Sequence, residues 1–497
     1  MKGWGRMRPG IFLWVAHGVC LAFLAAAVPL AAARAEEPAV FKAGAATANI
    51  SPWIGLSMNG GMSDNPVKHV HDELHARAIA LDDGATRIAF VIVDSCMVPR
   101  EVVAAAKARV TEQTGIPADH VLISATHAHS APASTPVFQT DQDPKYVRFL
   151  AARIGDAVTF AVNNLAPAQV GWGMGRNADQ LFNRRWKKKP GTIPPDPFGK
   201  TGDQAQMNPT PGSADLVEPA GPVDPEVGVL AVRTPDGTPI AVLSAYGLHY
   251  VGGVGGGHAS ADYYGAFARK MRQRLAPDAT NPPFVAAMAN GTSGDVNNIN
   301  FRNPRPAAPP YEQLNRVADD LAAEVIRVVR SIEYHDHATL DAATAEISLG
   351  VRLPTPEEIT RAEKILDDAQ GKPLQSLEQV YARETVLIAK YPAQVPLTIQ
   401  ALRVGELGIA AAPCEVFTEI GLEIKAKSPL KPTFTIELAN GYNGYLPTKA
   451  QHALGGYETW RARSSYLEVD AASKITATAL KLLGDLKARA SSSAETH

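Results

Sequence analysis

The sequence predicts an α/β fold on three observations. From Phe41 onward, short apolar runs alternate with longer stretches of helical periodicity. Polar residues of the kind that bind metals or move protons follow those runs repeatedly. The chain is also long enough, at 497 residues with 45% hydrophobic and 20% charged, to close a sizeable core. One large α/β domain over residues 36–490, a mixed sheet with flanking helices, is the expected arrangement.

The elements follow in order. Residues 75–81 read as a strand and 87–93 as a buried strand ending at Asp94; 100–113 has helical spacing and is stopped by Gly115 and Pro117. Residues 120–125 form the next strand, leading into Thr126-His127-Ala128-His129-Ser130. This β-α-β order puts Asp94 and His127 at the carboxyl ends of neighbouring strands, where open α/β sheets keep their sites. Residues 144–165 are a helix with Tyr146, Leu150, Ile154 and Val158 on one face. The Pro-, Gly- and Asp-rich stretch 186–225 reads as a long surface loop.

Strands follow at 228–232 and 240–245, the second running into His249. A glycine-rich loop at 252–257 precedes a helix at 261–275. It lacks the Lys-Ser/Thr ending of a phosphate loop and reads as a rim, not a nucleotide site. Residues 284–288 form a strand opening onto Gly294-Asp295-Val296, and 310–332 a long amphipathic helix. A strand at 339–349 leads to a helix start with Pro356 at its first position and helical pattern to about Lys390. Strands at 397–404 and 408–412 lead to Pro413-Cys414-Glu415, and one at 434–438 leads to Asn443-Gly444-Tyr445. A helix at 471–488 precedes a disordered polar tail at 491–497.

Residues 1–35 stand outside this pattern. Lys2, Arg6 and Arg8 precede an apolar stretch from Ile11 to Ala33, and Ala33-Arg34-Ala35 gives a small-x-small cleavage site: a secretory signal peptide, so the mature protein is expected to be secreted or periplasmic. Its removal takes four basic and no acidic residues, leaving 44 basic against 50 acidic and a charge of −6, which excludes nucleic acid as the expected partner. Cys96 and Cys414 remain, both in apolar runs, and are expected as buried thiols although export permits a disulfide.

Two histidines at i and i+2 share a face if the chain stays extended. With His249, Asp295, Glu415 and Tyr445 also at strand ends, the set suits zinc. Two histidines, a carboxylate and an open position make a common catalytic site, in which bound water has a pKa of about 7. Spacing alone does not say which residues converge. Asp94, Asp262 and Asp295 are expected to brace loops or orient ligands. His71 and His75 are four apart but not helical, and are expected to give at most one pocket-lining residue. The chain has no Gly-x-Ser-x-Gly elbow and no His-Glu-x-x-His helix.

The sequence also resembles the catalytic domain of the neutral/alkaline non-lysosomal ceramidases, zinc amidases that split ceramide into sphingosine and fatty acid. The resemblance rests on residues 45–52, Ala125-Thr126-His127-Ala128-His129-Ser130-Ala131-Pro132, Asn183-Arg184, His249, Ser260-Ala261-Asp262, Gly294-Asp295-Val296, Pro413-Cys414-Glu415 and Asn443-Gly444-Tyr445 through Gly456-Tyr457-Glu458, in family order. It implies one Zn²⁺ per chain held by His127, His249, Glu415 and Tyr445. It further implies His129 as acid/base, and Arg184 with Tyr445 as stabilisers of the developing oxyanion. After Gly-Asp-Val the family carries Ser-Pro, whereas this chain has Asn297-Asn298. The family's carboxy-terminal β-sandwich domain has no counterpart in the expected layout. The expected activity is hydrolysis of an N-acyl amide, ceramide by resemblance, with peripheral membrane contact. The alternatives are a zinc hydrolase of a smaller amide or ester, and an exported ligand-binding protein without turnover.

Overall fold

Strand Arg87–Val93 is buried from Ile88 onward and pairs in parallel with Val121–Ala125, from Ala89 opposite Val121 to Val93 opposite Ala125. This pair heads a five-stranded sheet that continues antiparallel through His75–Asp82 and Lys42–Asn49 to Ala166–Pro167. The computed structural model describes residues 40–278 and 282–494; the signal-peptide expectation lies outside them.

Where one mixed sheet was expected, the described residues form three larger ones, each with a parallel pair at one edge. The second sheet runs Val285–Asn290, Pro239–Tyr246, Glu226–Arg233, Gln169–Arg176, Tyr334–His335, its first two strands parallel. The third runs Leu340–Gly350, Gln394–Val404, Leu407–Ala411, Thr433–Ile436, its last two parallel. Local periodicity marks each strand as buried but carries no information on which distant strand it joins. Helices Arg100–Thr114, Asp262–Leu275 and Thr418–Lys427 cross over between the strands of the three parallel pairs.

The inner faces of the three sheets share one apolar core, with Phe90 and Leu122, Leu230 and Leu243, and Ile409 and Phe434 as members. Each outer face carries two helices. Arg100–Thr114 and Pro144–Asn163 cover the first sheet, Asp262–Leu275 and Glu312–Val329 the second, and Thr418–Lys427 and Ala471–Ala494 the third. The carboxyl ends of the parallel strands are tied together: Ala125 N donates to Leu438 O at 3.1 Å and Glu437 N to Asn290 O at 3.0 Å. Residues that follow these strands therefore arrive in one place.

Several elements differ from expectation. Residues 186–225 are not a bare loop, since Arg185–Lys188, Ala205–Met207 and Leu216–Pro219 form a three-stranded sheet that buries Trp186 and Leu216 against Phe301. Strands of three or four residues are too short for alternation to register. The helical stretch after Thr355 is two helices, Pro356–Asp368 and Leu377–Ile388, each opened by a capping box. Left-handed Gln370 and Gly371, followed by Pro373, separate them. The last helix extends to Ala494, so the tail expected to be disordered begins as helix. Strand Gln169–Arg176 was not expected because Gly171, Gly173 and Gly175 dilute its pattern. They are needed for packing: a Cβ on Gly171 would lie 2.5 Å from Glu333 O, and one on Gly173 2.7 Å from Ile332.

Helix Arg100–Thr114 also buries Lys107, and burial lowers its amine to about 8, with Asp119 partly opposing the shift. The unfolded chain, with an ordinary lysine pKa, binds more protons between about pH 8 and 10.4, so stability should rise with pH across that window. Lys107→Met should stabilise the protein by about 2 kcal/mol at pH 7 and abolish that rise. Urea midpoints at pH 7 and 9.5 for both proteins check it.

Candidate metal centre

His127 lies two residues beyond Val121–Ala125, and its backbone has already left the strand: φ is +73°. The His-x-His pair is therefore brought together by a turn and not by extended alternation. His127 Nε2 and His129 Nε2 are 3.1 Å apart. His249 follows Pro239–Tyr246, and its Nε2 lies 2.9 Å from His127 Nε2. Glu415 follows Leu407–Ala411, and its Oε2 lies 3.2 Å from His127 Nε2 and 3.8 Å from His249 Nε2. His127, His249 and Glu415 are buried, and His129 is half-buried.

The proton positions follow from the partners. His127 Nδ1 faces the Cys96 carbonyl at 2.8 Å and His249 Nδ1 the Ser293 carbonyl at 3.2 Å. A carbonyl only accepts, so each Nδ1 carries the hydrogen, and each ring, when its Nε2 is unprotonated, turns a lone pair toward the other. Glu415 Oε2 is buried and has no hydrogen-bond donor, while Oε1 accepts from Tyr442 OH at 3.0 Å. Two lone pairs and a carboxylate oxygen meeting in a buried space repel unless a cation lies among them. Burial works against charging His127, yet the Glu415 carboxylate and Cys96 together outweigh it and hold its pKa well above the ordinary histidine value. Burial, Arg184 and His127 hold His249 well below that value. Burial would raise Glu415, but His127, Arg184 and Tyr445 together outweigh that and lower it. The pocket demands one positive charge, and its nitrogen and oxygen donors fit a zinc-class ion.

His129 stands beside this trio with its ring stacked on Tyr250 at 3.6 Å. Burial, then the charges of His127 and Arg184, keep it well below the ordinary histidine pKa, so it rests neutral. Its seat is Gly60, at φ +108°, where a Cβ would fall 2.3 Å from the His129 ring. Arg184 NH2 reaches Tyr445 OH at 3.0 Å and Gly294 O at 2.9 Å. Arg184 Nε donates to Glu458 Oε1 at 3.1 Å, and Arg185 NH1 to Glu458 Oε2 at 2.6 Å. Tyr445 is placed by pairing of Tyr445–Leu446 with Glu415–Val416, and burial pushes its phenol well above the usual value.

The structure thus gathers His127, His129, Arg184, His249, Glu415 and Tyr445. Asp94 accepts from His75 N and Arg77, Asp295 from Asn183 and Thr418, and Asp262 from Val251 N and Gly252 N; all three brace loops. His71 and His75 both line a cavity of about 590 Å³ that shares no lining residue with the His127 pocket, where one at most was expected. Cys96 and Cys414 are free and buried. Sequence reasoning missed Gly60, Tyr250, Tyr442 and Ser293. It also missed Glu437, which burial raises to about 8 and which accepts from Ser293 Oγ at 2.6 Å and Val416 N at 2.6 Å. Glu437 thereby braces the carbonyl behind His249 and the backbone behind Glu415.

The fold is similar to that of neutral ceramidase from Pseudomonas aeruginosa, with a TM-score of 0.69 at 18% identity over 91% of this chain and 75% of that one. It is similar also to a ceramidase complexed with C2, with a TM-score of 0.68 at 16% identity over 90% of this chain and 76% of that one. No curated protein sequence matches the chain. The family model for the amino-terminal domain of neutral/alkaline non-lysosomal ceramidases matches residues 41–305, more than half of the chain, and takes in His127, His129, Arg184 and His249. The chain belongs to the neutral/alkaline non-lysosomal ceramidase family.

Proposed function

We propose that the protein is an exported zinc-dependent hydrolase of linear N-acyl amides, with ceramide-type lipids as the substrate that family membership favours. The observation carrying this reading is the meeting of two imidazole lone pairs and the unpartnered Glu415 oxygen, with Arg184 and Tyr445 beside them. His127, His249 and Glu415 would hold the ion, and Tyr445 borders it. Bound zinc supplies Lewis-acid polarisation of the acyl oxygen and water acidic enough to attack near neutral pH. The chain's own residues do the rest. Neutral His129 takes the proton that the attacking water sheds and delivers it to the departing nitrogen. Arg184 and Tyr445 present donors to the negative charge that grows on the acyl oxygen, and Glu458 keeps Arg184 in place. His129→Ala should keep zinc and lose about 10²–10⁴-fold in turnover, read by metal analysis beside the assay.

One observation favours the second reading, a smaller amide or ester. The cavity at the site is only about 30 Å³, with Met97, Val137, Phe138 and Tyr457 among its lining, room for about two waters. Arg463 NH1 and NH2 hold the Pro136 and Phe138 carbonyls at 2.9 and 3.1 Å, and Glu384 pairs with that arginine. The experiment is an N-acyl series on one amine, from acetyl to palmitoyl, assayed for released amine. The ceramide reading expects kcat/KM to rise with chain length; the compact cavity expects it to peak at the shortest acyl groups. No release from any member by zinc-loaded protein would leave the ligand-binding alternative.

A further inference from the structure

A second group of metal-ligating side chains lies apart from Glu415 and its histidines. His69–Val70 and His258–Ala259 form a short parallel pair with His69 opposite His258, and His71 follows directly, its N–H bonded to Ala259 O at 2.9 Å. One ring nitrogen from each of His69, His71 and His258 lies within 4.8 Å of the other two. His69 and His71 are exposed and His258 is half-buried, so water has access to complete a coordination shell.

Tyr311 holds two of the three rings in place. Its ring stacks on His71 at 3.7 Å and 13°, and its hydroxyl lies 2.5 Å from His258 Nδ1. The same hydroxyl accepts from Gly255 N at 3.2 Å. With Nδ1–H donating to that oxygen, His258 leaves its Nε2 lone pair free, the arrangement that usually backs a metal-bound imidazole. Tyr311 is itself pinned, with φ +68° and its N–H on Gly253 O at 2.8 Å.

We propose that His69, His71 and His258 form a second transition-metal site, distinct from the one at Glu415, that clamps the glycine-rich rim 252–257 to residues 69–71. Three imidazoles select zinc, nickel or copper over magnesium or calcium. The rim lies between His258 and Tyr250, and Tyr250 stacks on His129; an ion there orders the rim while giving no ligand to the catalytic pocket. The proposal stands whether or not the protein hydrolyses amides.

The test is calorimetric titration, with Ni²⁺, of full-length protein loaded with a single zinc equivalent, with hydrogen exchange of 252–257 before and after the nickel is added. One further ion per chain is expected. His71→Ala and His258→Ala should each weaken it at least tenfold, and Tyr311→Phe by about tenfold. His337→Ala, at a histidine elsewhere on the surface, should leave it unchanged, and exchange at 252–257 should slow on loading. No further ion on folded wild-type protein, or binding that survives both His71→Ala and His258→Ala, would overturn the site. Unaltered exchange on loading would overturn the clamp.

Discussion

Glu415→Gln should remove the zinc and lower amide hydrolysis by at least about 10³-fold, the equivalent of several kcal/mol of lost charge stabilisation. The same change should also lower the stability of the metal-free protein, in which protonated His127 pairs with the buried Glu415 carboxylate at 3.2 Å, and that loss should shrink as pH rises through the raised His127 pKa. Zinc should raise the melting temperature of the wild type and leave that of Glu415→Gln where it was, which separates a ligand from a carboxylate that only braces the fold. Metal analysis and melting curves with and without chelator read both.

Glu458→Ala is expected to be the most destabilising single change near the site. Glu458 is fully buried and bridges Arg184 and Arg185, both also buried. Deleting the carboxylate leaves two buried guanidiniums without their acidic partner, a loss of about 3–5 kcal/mol. Turnover should fall with stability, because Arg184 is then free to leave Tyr445. Glu458→Gln keeps the side-chain length and one acceptor, and should recover part of the stability. Urea midpoints for the three proteins decide it; a midpoint for Glu458→Ala within error of wild type would contradict the bridging role.

The candidate site was legible because most of its residues directly follow apolar runs. The strands before His127, His249 and Glu415 were expected within one residue of the observed ones at each end, and their parallel pairing brings the following residues together. What was not legible depends on close approach or long-range contact. Gly60 matters only because His129 packs on it, and nothing within the sequence around residue 60 announces that. The left-handed turn at His127 is invisible to a two-residue spacing argument. Helix Thr418–Lys427, which completes the third crossover, has a weak apolar face and was not expected. Strand Gln169–Arg176 was hidden by the glycines that let helix Glu312–Val329 approach it. The division into three sheets is set by pairing between distant strands, which no local pattern encodes.

The most direct test of the central claim is zinc content measured together with cleavage of a short-chain N-acyl amine, before and after chelation and on readdition of zinc. The account predicts a zinc equivalent that Glu415→Gln lacks, and cleavage that disappears with chelator and returns with zinc. Cleavage at full rate in folded, metal-free protein would contradict it.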